Sequence, residues 1–166
     1  MRIVILGGVA AGMSAAARAR RADKDAEIVV FERTDVVSFG ACGLPYYVGR
    51  WFDDPGYMIA RSAAQHREAG IDVRLRHEAL SLDAASKTVR VRNLDSGLET
   101  LEGYDRLMVA TGARPVLPPF PGIGLGKVHT LTRLEDGEAV RAGLARPDCR
   151  RVVVIGAGFI GMEFVE

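Results

Sequence analysis

The feature that most constrains this chain's fold is a short apolar run followed by a glycine-rich turn, which occurs twice. The first run covers residues 2–6 with its turn at 7–12, and the second covers 151–155 with its turn at 156–161. Apolar runs of this length indicate buried strands, and a glycine turn after each one predicts a strand-to-helix connection. The sequence therefore predicts an α/β fold built from βαβ units.

The first copy is complete within the chain. After its turn, an alanine-rich stretch to about Ala22 predicts a helix, and Glu27 to Phe31 predict the next strand. The second copy ends in the first turns of its helix, so its confirming strand lies outside the 166 residues. We therefore expect one complete βαβ unit and the beginning of a second.

The first glycine turn has the composition of a dinucleotide site. A pyrophosphate needs backbone N–H groups at a helix N-terminus, with glycine wherever a side chain would hold the backbone away. The turn has glycine at its first and last positions, while Val9 replaces the middle one, in the order Gly7, Gly8, Val9, Ala10, Ala11, Gly12. Glu32 stands twenty residues beyond Gly12, where an acid accepts hydrogen bonds from a ribose.

The alternative reading is that these glycines form only a tight turn and that Glu32 is a solvated acid. The strand, the helix and the acid together favour the nucleotide. The second turn retains all three glycines, Gly156, Gly158 and Gly161, and predicts a second dinucleotide. A turn made only for packing remains the alternative there, because its acidic partner would lie beyond the chain.

Further elements are predicted between the two turns. A short helix is expected over Ser62 to Ala69, closed by Gly70, and a capping box of Thr132 with Glu135 predicts a helix to about Leu144. Strands are expected at 71–75, 79–82, 88–93, 98–101 and 106–110, with a hairpin turn at 95–97 and a Pro- and Gly-rich connector at 115–126.

Cys42 lies in a loop-rich segment where periodicity says little. If a helix begins near Gly43, Pro45 suits its first turn and the Cys42 sulfur lies beside the helix's positive end, which stabilises a thiolate. A buried, inert cysteine is the competing interpretation. The other cysteine, Cys149, is distant in sequence, and we expect no structural disulfide between the two.

Composition excludes several classes of function. With 22 basic and 21 acidic residues, bulk charge indicates neither a nucleic-acid nor an acidic-membrane partner. The apolar run at the amino terminus is too short for a signal peptide or a membrane span. We expect a cytoplasmic protein without a metal site.

Four segments carry a resemblance to a known family: Gly-Gly-Val-Ala-x-Gly-Met-Ser-Ala-Ala from Gly7, Ser-Phe-x-x-Cys-Gly-Leu-Pro-Tyr-Tyr from Ser38, Ala-Thr-Gly-Ala-Arg-Pro from Ala110, and Gly-x-Gly-Phe-Ile-Gly-x-Glu from Gly156. Together they resemble coenzyme A disulfide reductase within the FAD-dependent pyridine nucleotide-disulfide oxidoreductases, a group that includes NADH oxidase and NADH peroxidase. The similarity covers essentially every residue, and the chain resembles the amino-terminal third of such enzymes.

The resemblance implies domains, cofactors and their residues. An FAD-binding Rossmann-like domain with inserted antiparallel strands would cover 1–114, and the connector and the start of an NAD(P)H-binding domain would cover 115–166. FAD would be held by the first glycine turn and by Glu32, Arg33, Cys42, Ala79, Ala110, Thr111 and Gly112. NADH or NADPH would bind at Gly156, Gly158 and Gly161, and Cys42 would carry electrons to a disulfide.

The resemblance also implies a substrate and an assembly. Coenzyme A would contact Ser14, Arg18, Arg21 and Ser38, although a solvated helix face is the ordinary interpretation of these arginines. Peroxidases and many oxidases carry a histidine where this chain has Ala10, which weakens a Cys42 sulfenic-acid mechanism. NADH oxidase or peroxidase activity, or an inactive flavin-binding fragment, remain the alternatives, and the longer parent would be a homodimer.

Overall fold

The structure is a computed structural model that describes residues 1–166. It contains seven strands: β1 (Arg2–Leu6), β2 (Glu27–Phe31), β3 (Asp72–Arg74), β4 (His77–Asp83), β5 (Thr88–Asn93), β6 (Glu99–Gly103) and β7 (Arg106–Val109). The five α-helices are α1 (Ala10–Ala22), α2 (Leu44–Val48), α3 (Ala63–Glu68), α4 (Leu134–Leu144) and α5 (Phe159–Val165). The predicted mixed α/β class is therefore confirmed.

The chain divides into two compact units. The first contains Met1–Phe39 and Ile59–Gly112, and the second contains Gly40–Met58 and Ala113–Glu166. The first unit contains every strand, together with α1 and α3. The second contains α2, α4 and α5.

A four-stranded parallel sheet in the order β3-β2-β1-β7 forms the centre of the first unit. Val4 of β1 lies between Val29 of β2 and Leu107 of β7 in the ladder. Both faces of this sheet are covered, which is why β1 and β2 are continuous apolar runs and do not alternate with polar residues.

The two faces of the parallel sheet pack against different elements. On one face, Ile5 and Val30 pack with Met13 and Ala16 of α1. On the other, Val4 and Phe31 belong to a cluster that includes side chains of the antiparallel strand β5. Helix α1 and the antiparallel sheet therefore hold the carboxyl ends of β1 and β2 from opposite sides.

The antiparallel sheet has the strand order β4-β5-β6 and lies in sequence between β3 and β7. Its β5–β6 turn contains Gly97 at a φ of 74°, a left-handed value that glycine adopts without strain. Val89 and Val91 of β5 are fully buried, while Arg90 between them is exposed. This alternation is typical of a sheet with one face in the core.

Most of the predicted elements are confirmed, including β1, β2 and β5 with their bounds and the Ser62 cap of α3. The predicted capping box of Thr132 with Glu135 is wrong. The N-cap residue is Arg133, and Asp136 in the first turn is the acid that reaches back: its carboxylate accepts from the backbone N–H groups of Thr132 and Arg133 and from the Thr132 hydroxyl.

The predicted strand at 151–155 is also wrong as a strand. The segment forms no ladder with any described strand, and Val152, Val153 and Ile155 are exposed. A strand needs a hydrogen-bonded neighbour, and the apolar sequence alone does not provide one. Separately, no helix of the structure is both long and apolar enough to cross a membrane.

Candidate dinucleotide and thiol sites

The first glycine turn is closed by contacts that only glycine permits. Gly7 has a φ of 101°, and a Cβ atom there would lie 2.2 Å from the carbonyl oxygen of Ala110. A Cβ atom on Gly12 would lie 1.8 Å from the carbonyl oxygen of Gly7. The first and last glycines of the motif therefore allow α1 to start directly against β1 and β7.

This turn lies at the carboxyl edge of the parallel sheet. The chain leaves β1 toward β2 on one side, and β7 pairs with β1 on the other. Ligands of open α/β sheets bind at such a switch point, outside the carboxyl ends of the strands. Ala110, Thr111 and Gly112 follow β7 at the same edge, and Gly112 has a left-handed φ of 70°.

The start of α1 offers unused donors to an anion. Val9 is the N-cap residue and no side chain caps the helix, while Ala10 and Ala11 in the first turn are exposed. The first N–H groups of a helix have no partner within it, and the helix dipole adds positive potential there. A pyrophosphate fits this end, because small residues surround it and no acidic side chain lies in the first turn.

Glu32 is a buried carboxylate, only 6% exposed, at the end of β2. Its Oε2 accepts from the backbone N–H of Gly8 at 2.6 Å. Its Oε1 accepts from the N–H and the hydroxyl of Thr34 at 2.8 and 2.9 Å. A carboxylate has about four acceptor positions, so Glu32 braces the glycine turn and retains capacity for a ligand hydroxyl.

Two other residues expected near the cofactor have structural partners. Arg33 follows Glu32 and lies 3.6 Å from the carboxylate of Glu78. Ala79 of β4 is partly buried and packs on the cluster that contains Val4 and Phe31. Arg33 lies in the loop directly after β2, and Ala79 lies on β4, which contacts β2.

The second glycine turn repeats the local geometry of the first. Gly156 has a φ of 111°, and a Cβ atom on Gly161 would lie 2.0 Å from the Gly156 carbonyl oxygen. Met162 N donates to Gly158 O at 3.0 Å, as Met13 N donates to Val9 O at 3.1 Å in the first turn. The same sequence pattern therefore forms the same glycine turn into a helix at both places, although only the first turn follows a strand.

Helix α1 carries three arginines near its carboxyl end, and their contacts differ. Arg20 donates to four carbonyl oxygens, those of Asp23, Lys24, Ala26 and Gly70. Arg18 and Arg21 are exposed and form no hydrogen bond or ion pair within the chain. Together with Ser14, also exposed, they lie at positions i, i+4 and i+7 along one face of the helix.

Cys42 is exposed and lies in a single 3₁₀ turn, Ala41–Gly43, immediately before α2. The helix begins one residue later than expected, with Pro45 in its first turn. It has only five residues, so its dipole sums few peptide units. Exposure removes the buried-and-inert interpretation of Cys42.

The Cys42 segment is anchored within the second unit by α4. A Cβ atom on Gly137 would lie 2.7 Å from Leu44 Cδ2, so α2 packs directly on the α4 backbone. One turn further along, the Arg141 guanidinium lies 4.7 Å from the Tyr47 ring centre and donates to the carbonyl oxygens of Tyr47 and Phe52 and to the Asp53 carboxylate. These contacts fix the helix that follows Cys42.

Ser38 is partly exposed and has a left-handed φ of 54°. Its hydroxyl lies 2.8 Å from Nε2 of His66 on α3. The sequence expectations did not include His66, Thr34 or Arg141 among the site residues. Thr34 could have been found from its place two residues after Glu32, but His66 and Arg141 lie too far away in sequence to signal their contacts.

No group of three or more His, Cys, Asp or Glu side chains is arranged to hold a metal ion. The candidate sites are therefore the two glycine turns, the outer face of α1 and the exposed thiol. A parallel sheet with a glycine turn at its switch point and a buried acid beside it defines a dinucleotide-binding α/β protein.

Comparison with known proteins gives the family. Residues 1–166 match the family model described as pyridine nucleotide-disulphide oxidoreductase. The chain belongs to this family, which confirms the family recognised from the sequence, and the members of the family are oxidoreductase enzymes. The family is FAD-dependent, and solved relatives are bound to NADH or, in an engineered case, NADPH, so the predicted cofactors are confirmed for the family.

Two curated relatives illustrate the range of activities. The chain is 34% identical over 166 residues to the NADH oxidase of Lactococcus lactis, covering 100% of this chain and 37% of that protein. It is 34% identical over 167 residues to the coenzyme A disulfide reductase of Staphylococcus epidermidis, covering 99% of this chain and 37% of that protein. The chain thus spans little more than a third of the length of these relatives.

Solved structures agree with the fold. The water-forming NADH oxidase from Lactobacillus brevis bound to NADH superposes with a TM-score of 0.94 at 33% identity, over 100% of this chain and 36% of that one. The NAD-dependent persulfide reductase from A. fulgidus superposes with a TM-score of 0.93 at 41% identity, over 100% of this chain and 31% of that one. Relatives with different electron acceptors therefore share this architecture.

Proposed function

We propose that this chain provides the flavin site and the redox thiol of an NAD(P)H-dependent disulfide reductase whose substrate is coenzyme A disulfide. FAD is assigned to the first glycine turn, with its pyrophosphate at the start of α1 and Glu32 near its ribose. Arg33, Ala79 and Ala110 to Gly112 would flank that site, and Cys42 would be the thiol that receives electrons from the bound flavin. NADH or NADPH is assigned to Gly156, Gly158 and Gly161. The domains are a flavin domain over 1–114 and the connector and start of a nicotinamide domain over 115–166.

When bound, FAD supplies a route for two electrons from the nicotinamide to a disulfide. The chain's own step is thiol–disulfide exchange. The Cys42 thiolate attacks one sulfur of coenzyme A disulfide, forms a mixed disulfide with one coenzyme A and releases the other as a thiolate. Two electrons and a proton then return Cys42 to its thiolate and release the second coenzyme A as a thiol.

The observation that carries the substrate assignment is the contrast between the α1 arginines. Arg20 donates through its two terminal nitrogens to four carbonyl oxygens, whereas Arg18 and Arg21 form no hydrogen bond or ion pair within the chain. Guanidinium groups form strong paired hydrogen bonds with phosphates. Arg18, Arg21 and Ser14 thus make an exposed polar stripe suited to the phosphates of coenzyme A.

A second candidate is NADH oxidase activity, in which Cys42 cycles through a sulfenic acid. Relatives named NADH oxidase match the whole chain at 34% and 33% identity. Ala10 argues against it, because a methyl group at this position cannot exchange a proton with a sulfenic acid. We therefore place disulfide reduction first.

The test is an acceptor comparison on the purified flavoprotein. NADH or NADPH oxidation is followed with coenzyme A disulfide, oxygen or hydrogen peroxide, and released thiol is counted. Two thiols per reduced nicotinamide consumed support the disulfide reductase. Nicotinamide oxidation by oxygen without thiol release indicates the oxidase, and bound flavin without turnover indicates a flavin-binding module.

A further inference from the structure

Ser38 is held in the first unit by contacts on three sides. Its backbone N–H donates to the Gly8 carbonyl at 2.9 Å, and its carbonyl accepts from Ala60 N–H at 3.0 Å. Its hydroxyl lies 2.8 Å from His66 Nε2. The left-handed backbone of Ser38, rare for a residue with a side chain, is therefore fixed between the glycine turn and the start of α3.

His66 is a buried side chain with one satisfied nitrogen. It is 4% exposed, and its Nδ1 is buried without a hydrogen-bond partner. Burial, assisted by the nearby charge of Arg61, lowers the pKa of His66 below its ordinary value. The ring is therefore neutral at physiological pH and carries one proton on one of its two nitrogens.

The contacts decide which nitrogen carries that proton. Orphaned buried N–H groups are rarer than under-satisfied acceptors. A proton on Nδ1 would leave such a donor without an acceptor, whereas a proton on Nε2 is donated to Ser38 Oγ. With Nε2 as the donor, Ser38 accepts from His66 and its own hydroxyl proton remains free.

We propose that His66 is a positioning residue that fixes Ser38 as a hydrogen-bond donor to an acceptor oxygen of the coenzyme A moiety, either an amide carbonyl or a phosphate. This inference rests on the proposed function, because the contact between Ser38 and coenzyme A comes from the family resemblance. It adds His66 as a supporting residue and assigns the direction of the hydrogen bond: His66 Nε2 donates to the Ser38 hydroxyl oxygen, which leaves the hydroxyl proton to be donated to the ligand.

The first test measures the tautomer without reference to activity. Nitrogen NMR of the selectively histidine-labelled chain should show the His66 proton on Nε2 and a bare Nδ1. Replacing Ser38 with glycine, which tolerates the left-handed backbone, should perturb the His66 signals and leave those of His129 unchanged. A proton on Nδ1 would overturn the proposal, and so would His66 signals that are unchanged in Ser38→Gly.

The second test measures the rate at which Cys42 forms a mixed disulfide, followed by intact-protein mass spectrometry. Three disulfides are compared: coenzyme A disulfide, pantethine, which lacks phosphates, and 2-hydroxyethyl disulfide, which lacks the whole moiety. In Ser38→Gly and His66→Leu, the half-saturating concentration of coenzyme A disulfide should rise about ten-fold, the typical worth of one hydrogen bond. In His66→Leu, the limiting rate and the rate with 2-hydroxyethyl disulfide should not change, because His66 acts only through Ser38.

His66→Gln provides the rescue, because a glutamine amide can also donate to Ser38. Recovery of at least part of the loss supports a positioning role, and a loss equal to that of His66→Leu would contradict it. A weakened response to pantethine as well identifies a carbonyl acceptor, and a response confined to coenzyme A disulfide identifies a phosphate.

The outcomes also separate the two proposals. If the unaltered chain prefers coenzyme A disulfide over 2-hydroxyethyl disulfide but no variant changes that preference, His66 has no positioning role and the proposed function stands. If the unaltered chain shows no preference, the proposed substrate is wrong and the donor role of Ser38 falls with it.

Discussion

Glu32 Oε2 accepts a 2.6 Å hydrogen bond from the backbone N–H of Gly8, so the acid at the end of β2 directly braces the glycine turn after β1. The acid predicted to bind ribose therefore has a structural duty as well. Both of its oxygens are engaged within the chain, the second by Thr34.

Replacing Glu32 with glutamine should therefore weaken both the fold and the flavin site. An amide keeps one oxygen but directs an NH₂ group at an N–H donor of either Gly8 or Thr34. A buried unsatisfied donor costs about 1–3 kcal/mol. Denaturant unfolding and flavin titration measure the two effects, and Glu68→Gln, the same change at an exposed site, should alter neither. Unchanged unfolding in Glu32→Gln would contradict the bracing role.

The pyrophosphate assignment is tested by Ala11→Glu. An acid in the first turn of a helix interacts favourably with the helix dipole, so the fold should be as stable as that of the unaltered chain or slightly more stable. The same charge should repel a pyrophosphate and weaken FAD binding at least ten-fold. Ala64→Glu adds this charge to the exposed first turn of α3 and serves as the control. Equal FAD affinity in Ala11→Glu and Ala64→Glu would contradict the assignment of the pyrophosphate to the start of α1.

Ala11→Glu tests the pyrophosphate assignment more specifically than a substitution at Gly12 does. A side chain there would meet the Gly7 carbonyl oxygen at 1.8 Å. Lost flavin in Gly12→Val would thus report a broken turn as readily as a blocked ligand.

The α1 stripe is tested by the double variant Arg18→Gln and Arg21→Gln. If both guanidinium groups contact phosphates, the KM for coenzyme A disulfide should rise at least ten-fold and the KM for the nicotinamide should not change. Arg106→Gln with Arg150→Gln, two exposed charges elsewhere, is the matched control. A parallel rise in both KM values would indicate a general charge effect.

The network around Glu102 gives a pH dependence. Burial alone raises the pKa of Glu102, but the hydrogen bond from Arg2 and the charge of Arg74 outweigh burial and place the pKa below its usual value. A lowered folded-state pKa contributes stability that is complete above the unfolded value of about 4.3 and is lost as pH falls through the folded value.

Glu102→Gln should therefore cost on the order of 1 kcal/mol at neutral pH. The difference from the unaltered chain should vanish below the folded-state pKa. Denaturant unfolding of both chains from neutral to acidic pH measures this difference in the free energy of unfolding. A difference that stays constant down to strongly acidic pH would show that the contribution comes from packing and not from charge.

The sequence was informative where local pattern decides structure. The apolar runs of β1 and β2, the glycine turns and the Ser62 cap depend on neighbours in sequence, and the structure has them as expected. The Thr132 box failed because Asp136 and Glu135 are both acids in the first turn, and spacing alone did not select the one that reaches back.

Contacts between distant residues could not be predicted in this way. His66 meets Ser38 across 28 positions, and Arg141 reaches Phe52 across 89. Nothing in the local pattern of either residue signals a partner so far away. The segment 151–155 shows the same limit, since its composition predicts a strand but a strand exists only with a hydrogen-bonded neighbour.

The role of Cys42 is tested by the site at which coenzyme A disulfide modifies the reduced chain at neutral pH, determined by peptide mass spectrometry. Cys42 and Cys149 are both free thiols, and Cys42 is the more exposed. A coenzyme A adduct is expected on Cys42 that disappears in Cys42→Ser and persists in Cys149→Ser. An adduct found only on Cys149, or formed at an unchanged rate in Cys42→Ser, would contradict the assignment of Cys42 as the redox thiol.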